Sequence, residues 1–179
     1  FDTKCVRAGL DPDPTTGAII PPIYQSATYV LPEVGRNLGY DYTRSSNPTR
    51  ALLEAHLAAV EGVGYATAFA SGMSAVDAMA RLFESGDHIV SSDDVYGGVS
   101  RLFNRILVHA GLTFTYVDSS DPDAVRAAVQ PNTKLIWVET PTNPLLKVTD
   151  LEAVGSIARD HGVLFGVDST FATPYHLRP

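Results

Sequence analysis

Val163-Leu164-Phe165-Gly166-Val167-Asp168-Ser169-Thr170 is an apolar run that stops at an aspartate. Its length and composition predict a buried parallel strand. Ligands of open α/β sheets bind just beyond the carboxyl ends of such strands. A carboxylate placed there is costly unless a positive group or a hydrogen-bond donor meets it. A metal ion meets that need, and so does a protonated ring nitrogen. An aspartate that only caps the next turn explains the run equally well, so the choice falls to the rest of the chain.

Working back from that strand, the chain alternates. Thr149-Asp150-Leu151-Glu152 reads as a capping box that opens a helix with Leu151, Val154 and Ile157 inward. Leu135 to Val138 is an apolar strand, and Asp121-Pro122 starts a helix that holds Val125 and Val129. Thr113 to Val117 and His88 to Ser91 are short strands. Between them Val99, Leu102, Phe103 and Ile106 mark a helix that closes at Gly111. Tyr65 to Ala70 reads as a further strand, and Ser71-Gly72 leads into a helix carrying Val76, Met79 and Phe83. Asn47-Pro48 starts an earlier helix, with Leu52, Leu53, His56, Leu57 and Val60 on one face and Gly62 at its end. His56 on that face reads as a packed histidine. Strands separated by helical patterns of this length imply βαβ units and a mostly parallel sheet with helices on both faces, an α/β fold.

Residues 1–47 differ. Pro12, Pro14, Gly17, Pro21, Pro22 and Pro32 exclude long helices. Tyr24, Tyr29, Tyr40 and Tyr42 are more aromatics than a solvated tail keeps. The segment reads as an extended arm that packs on another surface, expected to be a partner subunit.

Composition narrows the function. A net charge of -7 argues against a nucleic-acid surface. No apolar run reaches membrane-spanning length, and Phe1-Asp2-Thr3-Lys4 has no signal-peptide shape. The lone cysteine, Cys5, can form no internal disulfide, which fits a reducing compartment. A cytoplasmic protein with no membrane partner is expected. His88, His109, His161 and His176 lack metal-ligand spacing, so no metal site is expected.

The strand ends carry the chemistry. Ser71-Gly72-Met73-Ser74 opens a helix whose free N–H groups suit a phosphate, although a serine-capped turn reads the same way. Gly62-Val63-Gly64 follows a helix and lacks a third glycine, so a dinucleotide fingerprint is discounted. Asp93 and Asp94 read as loop-capping. Tyr96-Gly97-Gly98 sets an aromatic face where backbone passes near a ligand. Glu139-Thr140-Pro141-Thr142-Asn143-Pro144 can fix Asn143 rigidly, through a cis peptide if need be. A phosphate cradle, an aromatic plate, a placed amide and a buried carboxylate together suit a planar, phosphorylated, heteroaromatic cofactor.

Tyr42-Thr43-Arg44, Asn47-Pro48-Thr49, Ser71-Gly72-Met73, Asp94-Val95-Tyr96-Gly97-Gly98, Glu139-Thr140-Pro141-Thr142-Asn143-Pro144 and Asp168-Ser169-Thr170-Phe171-Ala172-Thr173-Pro174 occur in this order. Over almost the whole chain they resemble the Cys/Met-metabolism family of pyridoxal 5'-phosphate (PLP) enzymes, which includes cystathionine γ-synthase, cystathionine γ-lyase and methionine γ-lyase. The resemblance implies the type I, aspartate-aminotransferase-like fold. Residues 1–47 are then the arm and 48–179 the first part of the large PLP-binding domain. It also implies roles. Gly72 and Met73 offer N–H groups to the cofactor phosphate, and Tyr96 stacks on the pyridine ring and assists proton transfer. Asn143 binds near the 3-hydroxyl, Asp168 pairs with the pyridinium nitrogen, and Thr170 lies beside the ring. Tyr42 and Arg44 reach the phosphate held by a neighbouring subunit, which makes a dimer the active unit and a tetramer, a dimer of such dimers, the expected assembly.

The expected activity is a PLP-dependent C–S lyase or γ-replacement reaction on a sulfur-containing or O-acylated amino acid. Gly97-Gly98-Val99, where methionine γ-lyases carry a cysteine, favours the cystathionine γ-lyase or γ-synthase type. Methionine γ-lyase and O-acetylhomoserine sulfhydrylase are the alternatives. Two departures stand out. Ser169 occupies the position of the family's usual asparagine. The lysines at 4, 134 and 147 do not match the family's Ser-x-x-Lys. The chain is therefore expected to be the N-terminal part of a longer enzyme, without the catalytic lysine or the C-terminal domain. A non-catalytic fragment is the alternative from another class.

Overall fold

The computed structural model describes residues 1–179, which form two compact units, Phe1–Ala68 and Phe69–Pro179. The second unit is built on a parallel four-stranded sheet. Its strands are β1 (His88–Ser92), β2 (Thr113–Val117), β3 (Thr133–Glu139) and β4 (Leu164–Asp168), in the order β2-β1-β3-β4. The helices between them are α4 (Gly97–Arg105), continued by a 3₁₀ turn at Leu107–Ala110, then α5 (Pro122–Ala128) and α6 (Leu151–His161). Helix α3 (Gly72–Ala80) precedes β1.

Strand alternation divides the core in two. Ile89, Leu135 and Trp137 pack with Val76 of α3 and with Val99, Leu102 and Phe103 of α4. Val90, Ile136 and Val138 point the other way, into Val125 of α5 and Val154, Ile157 and Ala158 of α6. Both faces of the central strands are thus covered, which is why Leu135–Val138 of β3 reads as a continuous apolar run. The register brings Trp137 opposite Gly166, and the glycine is required there. A Cβ on Gly166 would lie 2.7 Å from the Trp137 ring.

The chain leaves β1 on one side to form β2, then crosses back to add β3 on the other. That reversal opens a crevice at the carboxyl ends of the strands, the place where such sheets bind ligands.

Several expectations change. Tyr65 to Ala70 is not a strand, because no neighbouring strand pairs with it, and extended backbone without a ladder partner is only a connection. The capping box does not form. Asp150, not Thr149, caps α6 by accepting from Ala153 N–H at 3.0 Å. Thr149 instead lies buried, its hydroxyl 2.8 Å from that of Ser119. Ile106 is exposed because α4 ends one residue earlier and the turn rotates it outward.

The first unit holds α1 (Asp2–Arg7) and α2 (Pro48–Glu61). The short α1 sits ahead of the first proline, so the proline-rich stretch itself stays non-helical. Asn47 is buried and joins the arm to α2. Its Oδ1 accepts from Thr49 N–H at 2.8 Å, while Nδ2 donates to the Tyr24 carbonyl at 3.1 Å and to the Thr43 hydroxyl at 3.2 Å. His56 is a packed histidine, with Nδ1 2.6 Å from the Ala8 carbonyl. Leu53 and Leu57, placed inward by periodicity, are exposed, whereas Val60 of the same predicted face is buried together with Ala58. No helix is long and apolar enough to cross a membrane.

Candidate active site

At the carboxyl ends of the strands lies a cavity of about 320 Å³. Its walls come from the start of α3 (Ser71, Gly72, Met73), the loop and helix after β1 (Tyr96, Val99), the end of β3 and its loop (Glu139, Asn143) and the end of β4 and its loop (Asp168, Thr170, Phe171). The fold thus brings together Gly72, Met73, Tyr96, Asn143, Asp168 and Thr170. Tyr42 and Arg44 belong to the first unit, where the guanidinium carbon lies 5.0 Å from the centre of the tyrosine ring.

Each wall has a local cause. Ser71 caps α3 by accepting from Ser74 N–H at 3.1 Å, leaving the N–H groups of Gly72 and Met73 at the open, electropositive end of the helix. The serine cap therefore does not exclude an anion at these N–H groups, since the two readings share one helix end. Tyr96 is half exposed towards the cavity, and its ring lies across the start of α4 because Gly98 has no side chain. A Cβ there would stand 2.5 Å from Tyr96 Cε1 and 2.9 Å from Met73 Sδ. The backbone approaches closely as expected, but what it approaches is the chain's own tyrosine.

The loop after β3 contains cis peptides at Thr140-Pro141 and Asn143-Pro144. Asp94 fastens this loop, accepting from the Thr142 hydroxyl and, at 3.0 Å, from Leu145 N–H. Lys147 bridges Asp93 at 3.1 Å and Asp118 at 3.0 Å. Asp93 and Asp94 are loop fasteners, and both are absent from the cavity wall.

Asp168 is half-buried, not fully buried as its strand alone suggested, because β4 lies at the edge of the sheet. Both Thr170 bonds fall on one oxygen, Oδ1, from N–H at 3.0 Å and from the hydroxyl at 2.5 Å. The carboxylate is thereby oriented through one of its oxygens.

Sequence reasoning did not single out Glu139 as a site residue. It is buried, and its two oxygens accept from backbone N–H groups of different loops. Oε2 takes Tyr96 N–H and Oε1 takes Asn143 N–H, each at 2.7 Å. Burial pushes its pKa up, the two N–H bonds pull it back, and the negative charges of Asp168 and Asp94 push it up again. In sequence it differs from any glutamate ending a strand only by the loop motif that follows.

No lysine lines the cavity. Lys134 sits near the amino end of the interior strand β3, away from the carboxyl ends that wall the cavity, and Lys147 is held by its two aspartates. His88 is buried between the hydroxyls of Thr133 at 2.7 Å and Thr115 at 2.9 Å, a structural role, and burial lowers its pKa.

The cavity's chemistry fits PLP. It pairs an anion-binding helix end with an aromatic wall, and its two carboxylates favour a cationic partner.

Comparison with known proteins agrees. Residues 2–179 match the family described as Cys/Met metabolism PLP-dependent enzyme. A probable cystathionine gamma-synthase of Herpetosiphon aurantiacus is 50% identical over 179 residues, covering 100% of this chain and 56% of that protein. A cystathionine gamma-lyase of Bacillus subtilis is 48% identical, covering 99% of this chain and 47% of that protein. The crystal structure of cystathionine gamma-lyase from Lactobacillus plantarum complexed with L-serine superposes with a TM-score of 0.96 at 46% identity. It covers 99% of this chain and 46% of that one. The chain spans about half the length of the curated relatives it matches. A match along nearly every residue, with this cavity at the strand ends, has one meaning: the chain belongs to the Cys/Met metabolism family of PLP-dependent enzymes.

Proposed function

We propose that the protein carrying this chain is a PLP-dependent lyase or γ-replacement enzyme of the cystathionine γ-lyase or γ-synthase type, acting on sulfur-containing or O-acylated amino acids. The observation that carries this reading is the cavity shared by Gly72, Met73, Tyr96, Asn143 and Asp168. Relatives at 50% and 48% identity named as a gamma-synthase and a gamma-lyase supply the reaction class.

Within it, Gly72 and Met73 N–H groups bind the phosphate, Tyr96 covers one ring face, Asn143 lies at the 3-hydroxyl and Thr170 beside the ring. Asp168 keeps the ring nitrogen protonated through its charge. When bound, PLP supplies an electron sink for charge developed at the substrate's α-carbon. The chain's contribution is to orient the ring, keep its nitrogen protonated and narrow the water-filled space around it. Covalent attachment of the cofactor belongs to a lysine other than Lys134, which lies outside the cavity lining, and Lys147, which is held by Asp93 and Asp118.

Tyr42 and Arg44 act on the cofactor of a neighbouring subunit, in a dimer or a dimer of dimers. Ile20, Ile23, Val30 and Leu38, at least two-thirds exposed on the arm, are the apolar surface such an interface would bury (69, 76, 80 and 78%).

The test is spectroscopic. The full-length protein with PLP should develop a visible band and, after borohydride, gain the mass of one phosphopyridoxyl group. It should then release product from cystathionine or exchange the side chain of an O-acyl-homoserine. A protein that binds no PLP at any concentration tried would sink the reading.

A further inference from the structure

Glu139 is the one carboxylate in the cavity wall with both oxygens already taken. Its acceptors hold Tyr96 N–H and Asn143 N–H at 2.7 Å each, so a single side chain joins the loop after β1 to the loop after β3. Asp94 also ties these two loops, through the Thr142 hydroxyl and Leu145 N–H, whereas Glu139 engages Tyr96 and Asn143 themselves. Its own backbone is anchored too. Glu139 N–H donates to the Ser92 hydroxyl at 3.3 Å, Ser92 donates to Ser119 at 2.8 Å, and Ser119 pairs with Thr149 at 2.8 Å, all buried. A carboxylate so committed is poorly placed to serve as a ligand or base, yet it fixes the backbone of two residues that are.

We propose that Glu139 is a positioning residue, setting the distance across the cavity between the Tyr96 ring and the Asn143 amide. The proposal rests on the PLP reading above. It assigns to Glu139 no contact with cofactor or substrate.

Charge-assisted bonds to buried N–H groups are the strong kind, and losing an acceptor strands the donor as well. Glu139→Gln keeps the shape but offers one acceptor oxygen where two are needed. Glu139→Ala offers none. In the full-length protein the Gln variant should bind PLP roughly tenfold more weakly and the Ala variant roughly a hundredfold. The induced circular dichroism of bound PLP, which reports ring orientation, should fall in Glu139→Gln at saturating PLP. A merely structural defect would lower thermal stability and leave that signal per bound cofactor unchanged.

A double-mutant cycle completes the test. If Glu139 acts through Tyr96, the cost of Glu139→Gln should shrink severalfold in a Tyr96→Ala background. Full additivity, or a Gln variant with wild-type affinity and dichroism, would overturn the proposal. Because Glu139→Gln is isosteric it should fold even where Glu139→Ala does not. Absence of PLP binding by the unmodified protein would instead strike the parent reading.

Discussion

Glu139 and Asp168 are register partners on adjacent parallel strands, and both side chains line the same cavity. They differ in what occupies them. Glu139 spends both oxygens on backbone N–H groups, whereas Asp168 takes both Thr170 bonds on one oxygen. Two neighbouring carboxylates of equal formal charge thus differ in engagement: one bridges two loops, the other is held by its own loop.

Asp168→Asn should keep the fold and lose the charge. The ring nitrogen of bound PLP should then release its proton about 1–3 pH units lower, the usual effect of one adjacent charge. Nitrogen-15 spectra of labelled PLP on the full-length protein measure this directly. An unshifted titration would remove Asp168 from that role.

The glycine pair after Tyr96 gives a sharper contrast. A Cβ on Gly98 collides with Tyr96 and Met73, while one on Gly97 meets only the Arg101 guanidinium at 3.5 Å. Gly98→Ala should displace the tyrosine ring and weaken PLP binding roughly tenfold, a cost typical of overpacking. Gly97→Ala should bind as the parent does. Equal effects in titrations of the two variants would contradict the geometry.

The cap of α6 can be tested through stability. Asp150→Ala removes the acceptor for Ala153 N–H and should cost about 1 kcal/mol in denaturant unfolding. Glu152→Ala should fall within about 0.5 kcal/mol of the parent, since no capping box exists to break. The reverse ranking would restore Thr149 as the cap.

Acid titration separates two carboxyls by sign. The Ser120 hydroxyl, then Lys147, hold Asp118 from 3.8 down to about 2. The stability this group contributes is therefore complete above about pH 4 and is lost as the pH falls towards 2. Glu139 runs the other way. With a pKa raised mainly by burial, its contribution is complete below 4.5 and declines as the pH rises through the native-state value. Carbon-13 titrations should place the Asp118 midpoint low and move it up in Ser120→Ala, with the Glu139 midpoint above that of an ordinary glutamate.

Much of this was legible from residue order, and the reasons are local. His88–Ser92 is buried throughout, while Thr113–Val117 and Leu164–Asp168 are half-buried edge strands, yet all three are short runs set off by turn residues and their bounds are met to within a residue. The β3 strand reaches further than its apolar run, to Thr133 and Glu139, because pairing and not hydropathy decides where a ladder stops. Pairing also explains why Tyr65–Ala70 failed as a strand, since propensity cannot supply a neighbour. In the site, glycines, prolines and the terminal aspartate announced themselves through backbone demands that few other residues meet. Glu139 did not, because its partners are main-chain N–H groups brought near from loops 43 and 4 residues away. A backbone donor has no letter in the sequence.

Trp137, this chain's one tryptophan, packs against Gly166 two positions before the glutamate that braces the cavity. Its emission overlaps the near-ultraviolet absorption of pyridoxal compounds. The core therefore contains a resonance-energy donor close to where the acceptor would dock. Filling the cavity should dim the indole in proportion to occupancy, so the unlabelled protein can report its own saturation in a cuvette.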